Sequence, residues 1–263
     1  MRPRPLVRHA SVSNFAVTKR VVGAAALLLA LVTAAPAAAE GDDDKQALAQ
    51  DVAVLFRSAR GVISDNQALI NDPAKADKGL TGAKVIAGAK EKYAKAAGHA
   101  VVDTDPATLA GQVRAAMFAA IKEVMDQAQP LINEPGKTFK GFLPAVFAKQ
   151  VADRVSKRME GKLAIKLTAP PAYVRNRSNR PDAWETSVLT AKFASAGWTK
   201  NQPFGETTTR DGHPAFRLML PEYYGESCMS CHGEPRGERD ISGGKKEGAK
   251  LGDLGGAISV TVY

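Results

Sequence analysis

The chain has 263 residues, of which 44% are hydrophobic and 24% are charged, so it can bury a core in one large domain or two small ones. Aromatic residues make up only 6% of the chain, which argues against a large aromatic surface for nucleic acid. The net charge of +9 falls to +4 without the first 39 residues, and the remaining basic residues are spread among acids and alanines. We therefore expect no nucleic-acid partner.

The amino terminus has the three parts of a secretory signal. A basic stretch ends at Arg20, an apolar run of 12 residues extends from Val21 to Val32, and small residues lead up to Ala39. Because a membrane-spanning helix needs about 20 apolar residues, this run is too short to be one. We expect residues 1–39 to be a cleaved signal peptide with no transmembrane segment after it, and the mature protein to be periplasmic or secreted.

Residues 40–135 have the pattern of a helical region. Apolar residues recur every three or four positions from Leu48 to Val62, which predicts an amphipathic helix. The pattern stops near residues 71–73, where Asn-Asp-Pro is a turn signal. The next segment is predicted to be helical as well, although glycines at residues 79–88 weaken its pattern.

Two further helices are expected before the pattern changes. One is expected to begin at Asp105-Pro106, which resembles a helix cap followed by proline at the first helical position, and to end before Pro130. The other is predicted from Pro144 to Met159, with Gly161 as its carboxy-terminal cap.

Alternating apolar and polar residues predict strands in the second half of the chain. Residues 163–168 form the first strand, and a short helix is expected to start around Asp182. Asp211-Gly212 separates two alternating runs and predicts a β-hairpin, and residues 257–263 form a last strand. Helices first and strands later indicate an α+β fold, in which residues 136–263 carry an antiparallel sheet.

The two cysteines of the chain, Cys228 and Cys231, are followed directly by His232. This spacing is typical of the covalent attachment of haem c. Two thiols add to the two vinyl groups of haem, and the histidine that follows supplies an axial nitrogen to the iron. We therefore predict one covalent haem c on Cys228 and Cys231, with His232 as the metal ligand and no catalytic residue.

Three other interpretations of this motif remain. A disulfide would suit an oxidising compartment but gives His232 no role. A thioredoxin-like redox pair usually opens a helix in an α/β domain, whereas this motif is predicted to lie in a Gly- and Pro-rich loop. A zinc site needs further ligands, and the other histidines of the mature chain, His99 and His213, are remote in sequence.

Three stretches in the second half of the chain carry sequence features beyond the haem motif. They are residues 166–185, which contain Arg-Asn-Arg-Ser-Asn-Arg-Pro-Asp-Ala-Trp-Glu, residues 221–233 around the motif, and residues 246–259, which end in Gly-Gly-Ala-Ile-Ser. In this order they resemble a PAS-like c-type haem family, long catalogued as a domain of unknown function. Its members occur alone and at the sensory end of histidine kinases and chemotaxis-type receptors. The resemblance covers about residues 45–262 and implies a PAS-like sheet with flanking helices and a sensing role.

The chain departs from that family at the second axial position of the iron. Some members supply a cysteine there from an upstream helix, but this chain has no third cysteine, and Phe147 falls near that place. Candidate ligands in the mature chain are Met219, His213 and His99. We expect instead a distal side that is vacant or holds water.

The resemblance implies a haem-based sensor module for redox state or a diatomic gas, acting on an unknown signalling or redox partner protein. The alternative is a small periplasmic electron-transfer cytochrome, which a single haem fits equally well. A peroxidase would need a distal acid–base group, for which His213 is the only evident candidate. Because haem carries two carboxylates, we also expect at least one of Arg175, Arg177 and Arg180 to reach them.

Overall fold

The structure is a computed structural model in which residues 41–102 and 105–263 are described, and the predicted signal peptide, residues 1–39, lies outside the described residues. Residues 40–263 form one compact unit. The described ranges contain seven α-helices and four strands, in the order α1 (Asp42–Asp65), α2 (Gln67–Asn71), α3 (Gly82–Ala97), α4 (Leu109–Ile132), α5 (Pro144–Arg158), β1 (Leu163–Thr168), α6 (Ala183–Ser187), β2 (Phe204–Arg210), β3 (His213–Tyr223), α7 (Glu226–His232) and β4 (Leu254–Val262). None of these helices is long and apolar enough to cross a membrane.

Helix α1 forms where the apolar spacing predicts it. Its buried face includes Leu48, Val52 and Leu55, and three acidic residues in its first turn suit the positive end of the helix dipole. The break predicted at residues 71–73 is confirmed, since α2 ends there, and the glycine-containing segment after it is the helix α3.

The predicted start of α4 at Asp105-Pro106 is wrong. The side chain of Asp105 accepts a hydrogen bond from the N–H of Ala107 at 2.9 Å and forms a turn before the helix. Thr108 is the cap, because its hydroxyl accepts from the N–H of Gly111 at 3.0 Å. The helix therefore begins at Leu109.

The predicted end of α4 before Pro130 is also wrong, since the helix continues through the proline to Ile132. Proline removes one helical hydrogen bond, but only two helical residues follow it. Ile132 is fully buried. Its packing holds the last turn in place.

The four strands form one antiparallel sheet in the order β1-β4-β3-β2. The hairpin predicted at Asp211-Gly212 is confirmed, and both residues have the positive φ angles, 52° and 83°, that a two-residue hairpin turn requires. Helices α1 and α5 pack near the sheet, where Leu218, Leu220 and Val260 join the main core. The α+β fold with helices first is therefore confirmed.

The opposite face of the sheet carries a smaller apolar cluster. Because side chains alternate along a strand, Met219 points away from Leu218 and Leu220. Met219 is fully buried against Val188 and Leu189. These two residues belong to a one-turn π-helical segment that continues α6. The predicted short helix is confirmed, and Asp182 caps it with a reciprocal capping box to Glu185.

The end of β3 leads directly to the predicted motif. The ladder between β3 and β4 shifts register between Glu222 and Tyr223. Such a bulge turns the chain and re-aims side chains at the edge of a sheet. Two residues later the chain enters α7, and residues 233–253 then return to the start of β4.

Candidate functional site

The cysteines and the histidine of the motif lie on the short helix α7. Cys228 and Cys231 are three positions apart, so their side chains project from the same side of the helix. Both are free thiols and partly exposed. The prediction of a loop here is wrong, which removes one argument against a redox thiol pair. The other argument holds, since the sheet is antiparallel rather than that of an α/β domain.

His232 is oriented by two neighbours. Its Nδ1 lies 2.7 Å from Oε2 of Glu247, and the ring of Tyr224 stacks on the imidazole with centroids 4.9 Å apart. When Nδ1 carries the proton, it donates a hydrogen bond to the carboxylate of Glu247, and Nε2 keeps a free lone pair. A carboxylate behind a histidine is the usual arrangement that fixes a metal-binding tautomer.

Arg175 ties the helix to the segment that follows it. Its guanidinium donates to the carbonyl of Cys231 at 2.6 Å, to Oε1 of Glu247 at 2.6 Å and to Oδ2 of Asp240 at 2.5 Å. Burial alone would raise the pKa of Glu247, but the hydrogen bonds from Arg175 and His232 lower it below its ordinary value. Glu247 is therefore an anion that receives both donors.

Asp240 anchors the same arginine from the far side. Its side chain is fully buried. Burial acts to raise its pKa, but hydrogen bonds from Ser242 and Arg175 outweigh it and lower the pKa to about 2. The fixed charge on Asp240 holds Arg175 against α7.

Helix α1 approaches α7 from another side. The Oγ atoms of Ser64 and Ser227 are 3.3 Å apart. One turn earlier on α1, Arg60 forms an ion pair with Glu222, and Arg57 binds the same carboxylate at 2.5 Å. Glu222 lies at the bulge that precedes α7, so both the sheet and α1 fix the position of these ion pairs.

The other residues singled out from the sequence lie elsewhere. Met219 is enclosed in the small cluster on the far face of the sheet, and His213 is exposed at the β2–β3 turn. His99 is exposed and meets the edge of Tyr93, with ring centroids 5.7 Å apart, and Phe147 packs in the helical core against Phe142. In the described part of the chain, no three His, Cys, Asp or Glu side chains are grouped to hold a metal ion, so the zinc interpretation gains no support.

Of the three arginines expected near a haem carboxylate, Arg175 already has protein partners. Its guanidinium is occupied by Glu247, Asp240 and the carbonyl of Cys231. Arg177 and Arg180 are exposed on the segment between β1 and α6. The structure therefore gives Arg175 the role of a brace for α7.

The site lies within the part of the chain that a protein-family model matches. The model of the Tll0287-like family matches residues 88–262, two thirds of the chain. The chain belongs to the Tll0287-like family. This family is known as a cytochrome c-like domain. No curated protein and no solved structure gives a significant match to the chain.

The part of the chain matched by the Tll0287-like family contains Cys228, Cys231, His232 and Glu247, whereas α1 with Arg57 and Arg60 precedes it. The cysteines, the histidine and Arg175 stand out in the sequence, although Arg175 is expected there at a haem carboxylate and not beside Glu247. Glu247 lies in one of the three stretches that resemble the PAS-like family, but its sequence context gives it no role, and nothing in the local pattern of α1 distinguishes Arg57 or Arg60 from other surface arginines.

The donor set fits a covalent haem. Two thiols on one side of a helix can form two thioethers, and the adjacent histidine presents a free Nε2 because Nδ1 is bound to Glu247. A disulfide or a thiol redox pair explains the cysteines but gives no reason for the carboxylate behind His232.

Proposed function

We propose that this member of the Tll0287-like family is an exported protein that carries one haem c, bound through Cys228 and Cys231, with His232 as an iron ligand. The observation that carries the proposal is the 2.7 Å contact between Nδ1 of His232 and Oε2 of Glu247. His232 lies on the same helix as both thiols. Such a haem supplies one-electron redox chemistry and an iron atom that can bind a small ligand.

The side chains of the site then have separate tasks. Cys228 and Cys231 tether the haem, and His232 donates a nitrogen whose orientation Tyr224 and Glu247 hold. Arg175 neutralises part of the charge on Glu247 and fixes α7 through the carbonyl of Cys231. These contacts restrict how far the helix can shift when the charge of the site changes.

We further propose a sensor module for redox state or a diatomic gas. The four-stranded antiparallel sheet with helices packed on it is what the PAS-like resemblance implied, and it supports this reading. Met219 and His213, two candidate protein ligands for the iron, lie elsewhere, which favours a distal side open to an external ligand. A signalling partner would read the state of the site.

One observation favours the alternative of an electron-transfer cytochrome. Cys228 and Cys231 are both partly exposed, so a haem edge held there would lie near the surface. A redox partner could approach such an edge directly.

Optical spectra of the purified holoprotein, oxidised and reduced, with and without carbon monoxide, distinguish these functions. The sensor proposal predicts a high-spin ferrous haem whose spectrum changes when carbon monoxide is added. A low-spin ferrous spectrum that carbon monoxide does not alter would reject the gas-sensing proposal and favour the electron carrier.

Export is part of the same proposal, since c-type haem attachment in bacteria takes place outside the cytoplasm. The three-part signal in residues 1–39 supports it. Amino-terminal sequencing of the mature protein should begin at Glu40.

A further inference from the structure

A polar stripe on α1 faces the chain that leads into α7. Arg57, Arg60 and Ser64 are spaced by three and four positions, so they lie along one side of the helix. Arg57 donates to the carbonyl of Pro221 at 2.6 Å, Arg57 and Arg60 both bind Glu222, and Ser64 lies 3.3 Å from Ser227. The stripe therefore follows the chain from the end of β3 into α7.

The charges of this stripe do not balance. Arg57 and Arg60 share the single carboxylate of Glu222, and within residues 41–102 and 105–263 no second carboxylate pairs with either of them. The two arginine side chains are only 32% and 29% exposed. A partly buried excess of positive charge is costly unless an anion accompanies it.

Arg60 keeps its charge although it is partly buried. Burial lowers the pKa of Arg60 to about 10, and the neighbouring Arg57 acts in the same direction. The guanidinium therefore remains protonated at neutral pH.

The geometry of α7 places its contact with α1 on a different side of the helix from His232. At about 100° per residue around a helix, Cys231 lies about 40°, Cys228 about 100° and His232 about 140° from Ser227. The two cysteines thus project between Ser227, which contacts α1, and His232. A group tethered by both cysteines would have His232 on one side and the contact with α1 on the other.

We infer that Arg60, supported by Arg57 and Glu222, forms the wall of the haem site opposite His232 and makes the iron selective for small anionic ligands such as azide. This inference rests on the proposed function. A guanidinium on that side donates charge-assisted hydrogen bonds to an anion and contributes fixed positive charge. Neutral carbon monoxide gains much less from either effect.

The same charge acts on the redox equilibrium of the iron. Ferric haem carries one more positive charge than ferrous haem, so a nearby guanidinium disfavours the ferric state. Arg60 thereby raises the reduction potential of the site. Removing it should lower that potential.

The test compares azide binding to the ferric holoproteins of the wild type and of Arg60→Met. Optical titration measures the azide affinity of each. The variant should bind azide at least about tenfold more weakly, since a charge-assisted hydrogen bond is lost. Its midpoint potential should shift to a more negative value. Because Arg57 continues to pair with Glu222, the fold should persist.

Arg158→Met is the matched control. Arg158 lies on α5, has a side chain of similar exposure and pairs with Glu123 instead of a group near α7. It should leave both azide affinity and potential unchanged. If Arg60→Met does not fold, Arg60→Lys replaces it. Because lysine keeps the charge but lacks the planar guanidinium, this variant should retain the wild-type potential and bind azide more weakly than the wild type.

Two results would overturn the inference: equal azide affinity in wild type and Arg60→Met, or no azide binding to the wild type at all. In both cases a haem that stays bound after acid–acetone extraction leaves the proposed function intact. Complete extraction of haem from the wild type would instead reject the proposed function itself.

Discussion

At the scale of single residues, Glu247 is the group on which the site depends. It accepts from Nδ1 of His232 on one oxygen and from Arg175 on both, at 2.6 and 3.0 Å. A carboxylate behind a ligating histidine increases the electron density that the ring donates to a metal. If the site holds the proposed haem, this carboxylate would stabilise its ferric state.

Glu247→Gln should therefore raise the reduction potential of the haem. Glutamine keeps a hydrogen-bond acceptor but loses the charge, so the histidine donates less electron density. A spectroelectrochemical titration measures the shift. Glu238→Gln, which removes a carboxylate paired with Lys246 in the same segment, is the control and should have little effect. An unchanged or lower potential in Glu247→Gln would contradict this role.

Arg175 gives a prediction about stability. Arg175→Met removes the hydrogen-bond donor to Oδ2 of the buried Asp240 and the hydrogen bond to the carbonyl of Cys231. We expect a loss of about 1–3 kcal/mol in the free energy of unfolding, the usual cost of leaving a buried acceptor unpaired. Urea denaturation measures it. The control is Arg177→Met, two positions away and exposed, which should change stability by less than about 0.5 kcal/mol. Equal losses in the two variants would show that the contacts of Arg175 do not stabilise the protein.

The residues of the site were only partly predictable from the sequence. Cys228, Cys231 and His232 form a local motif, and their spacing carries the chemistry. Tyr224 and Glu247 meet His232 only because the chain turns at α7 and returns before β4. Such contacts depend on the path of the chain between them, which residue spacing does not encode.

At the scale of elements, local signals predicted the parts of the fold that local chemistry determines. Asp211-Gly212 has the φ angles that its hairpin demands, and Asp182 caps α6 through its own side chain. The boundaries of α4 failed for the opposite reason. Thr108 competes with Asp105 for the cap, and burial of Ile132 outweighs the break expected at Pro130.

Close packing of α3 against α4 gives an element-scale prediction with a paired control. A Cβ at Gly82 would lie 2.8 Å from the Cα of Lys122, a backbone atom that cannot move aside. Gly82→Ala should therefore destabilise the protein by about 1–3 kcal/mol, as overpacking does. Gly61→Ala, whose Cβ would meet only the flexible side chain of Lys92 at 3.4 Å, should instead stabilise α1 by about 0.5–1 kcal/mol. Thermal melts compare them, and a stabilised Gly82→Ala would show that the helices are not in close contact there.

At the scale of the whole molecule, the fold brings together segments that lie far apart in the sequence. Glu222 and Ser227 meet residues of α1 that precede them by more than 160 positions. Residues 40–263 form one compact unit, in which helices α1 and α5 share a core with the sheet. The amphipathic pattern of α1 predicts that it has a buried face but not which surface covers that face.

The most direct test of the account is the intact mass of the mature protein, purified from an exporting host with c-type maturation and extracted with acid–acetone. We expect the mass of the polypeptide from Glu40 to Tyr263 plus one haem, and loss of the added mass when both Cys228 and Cys231 are replaced by alanine. A wild-type mass equal to the polypeptide alone, or to the polypeptide lacking its two thiol hydrogens, would contradict covalent haem.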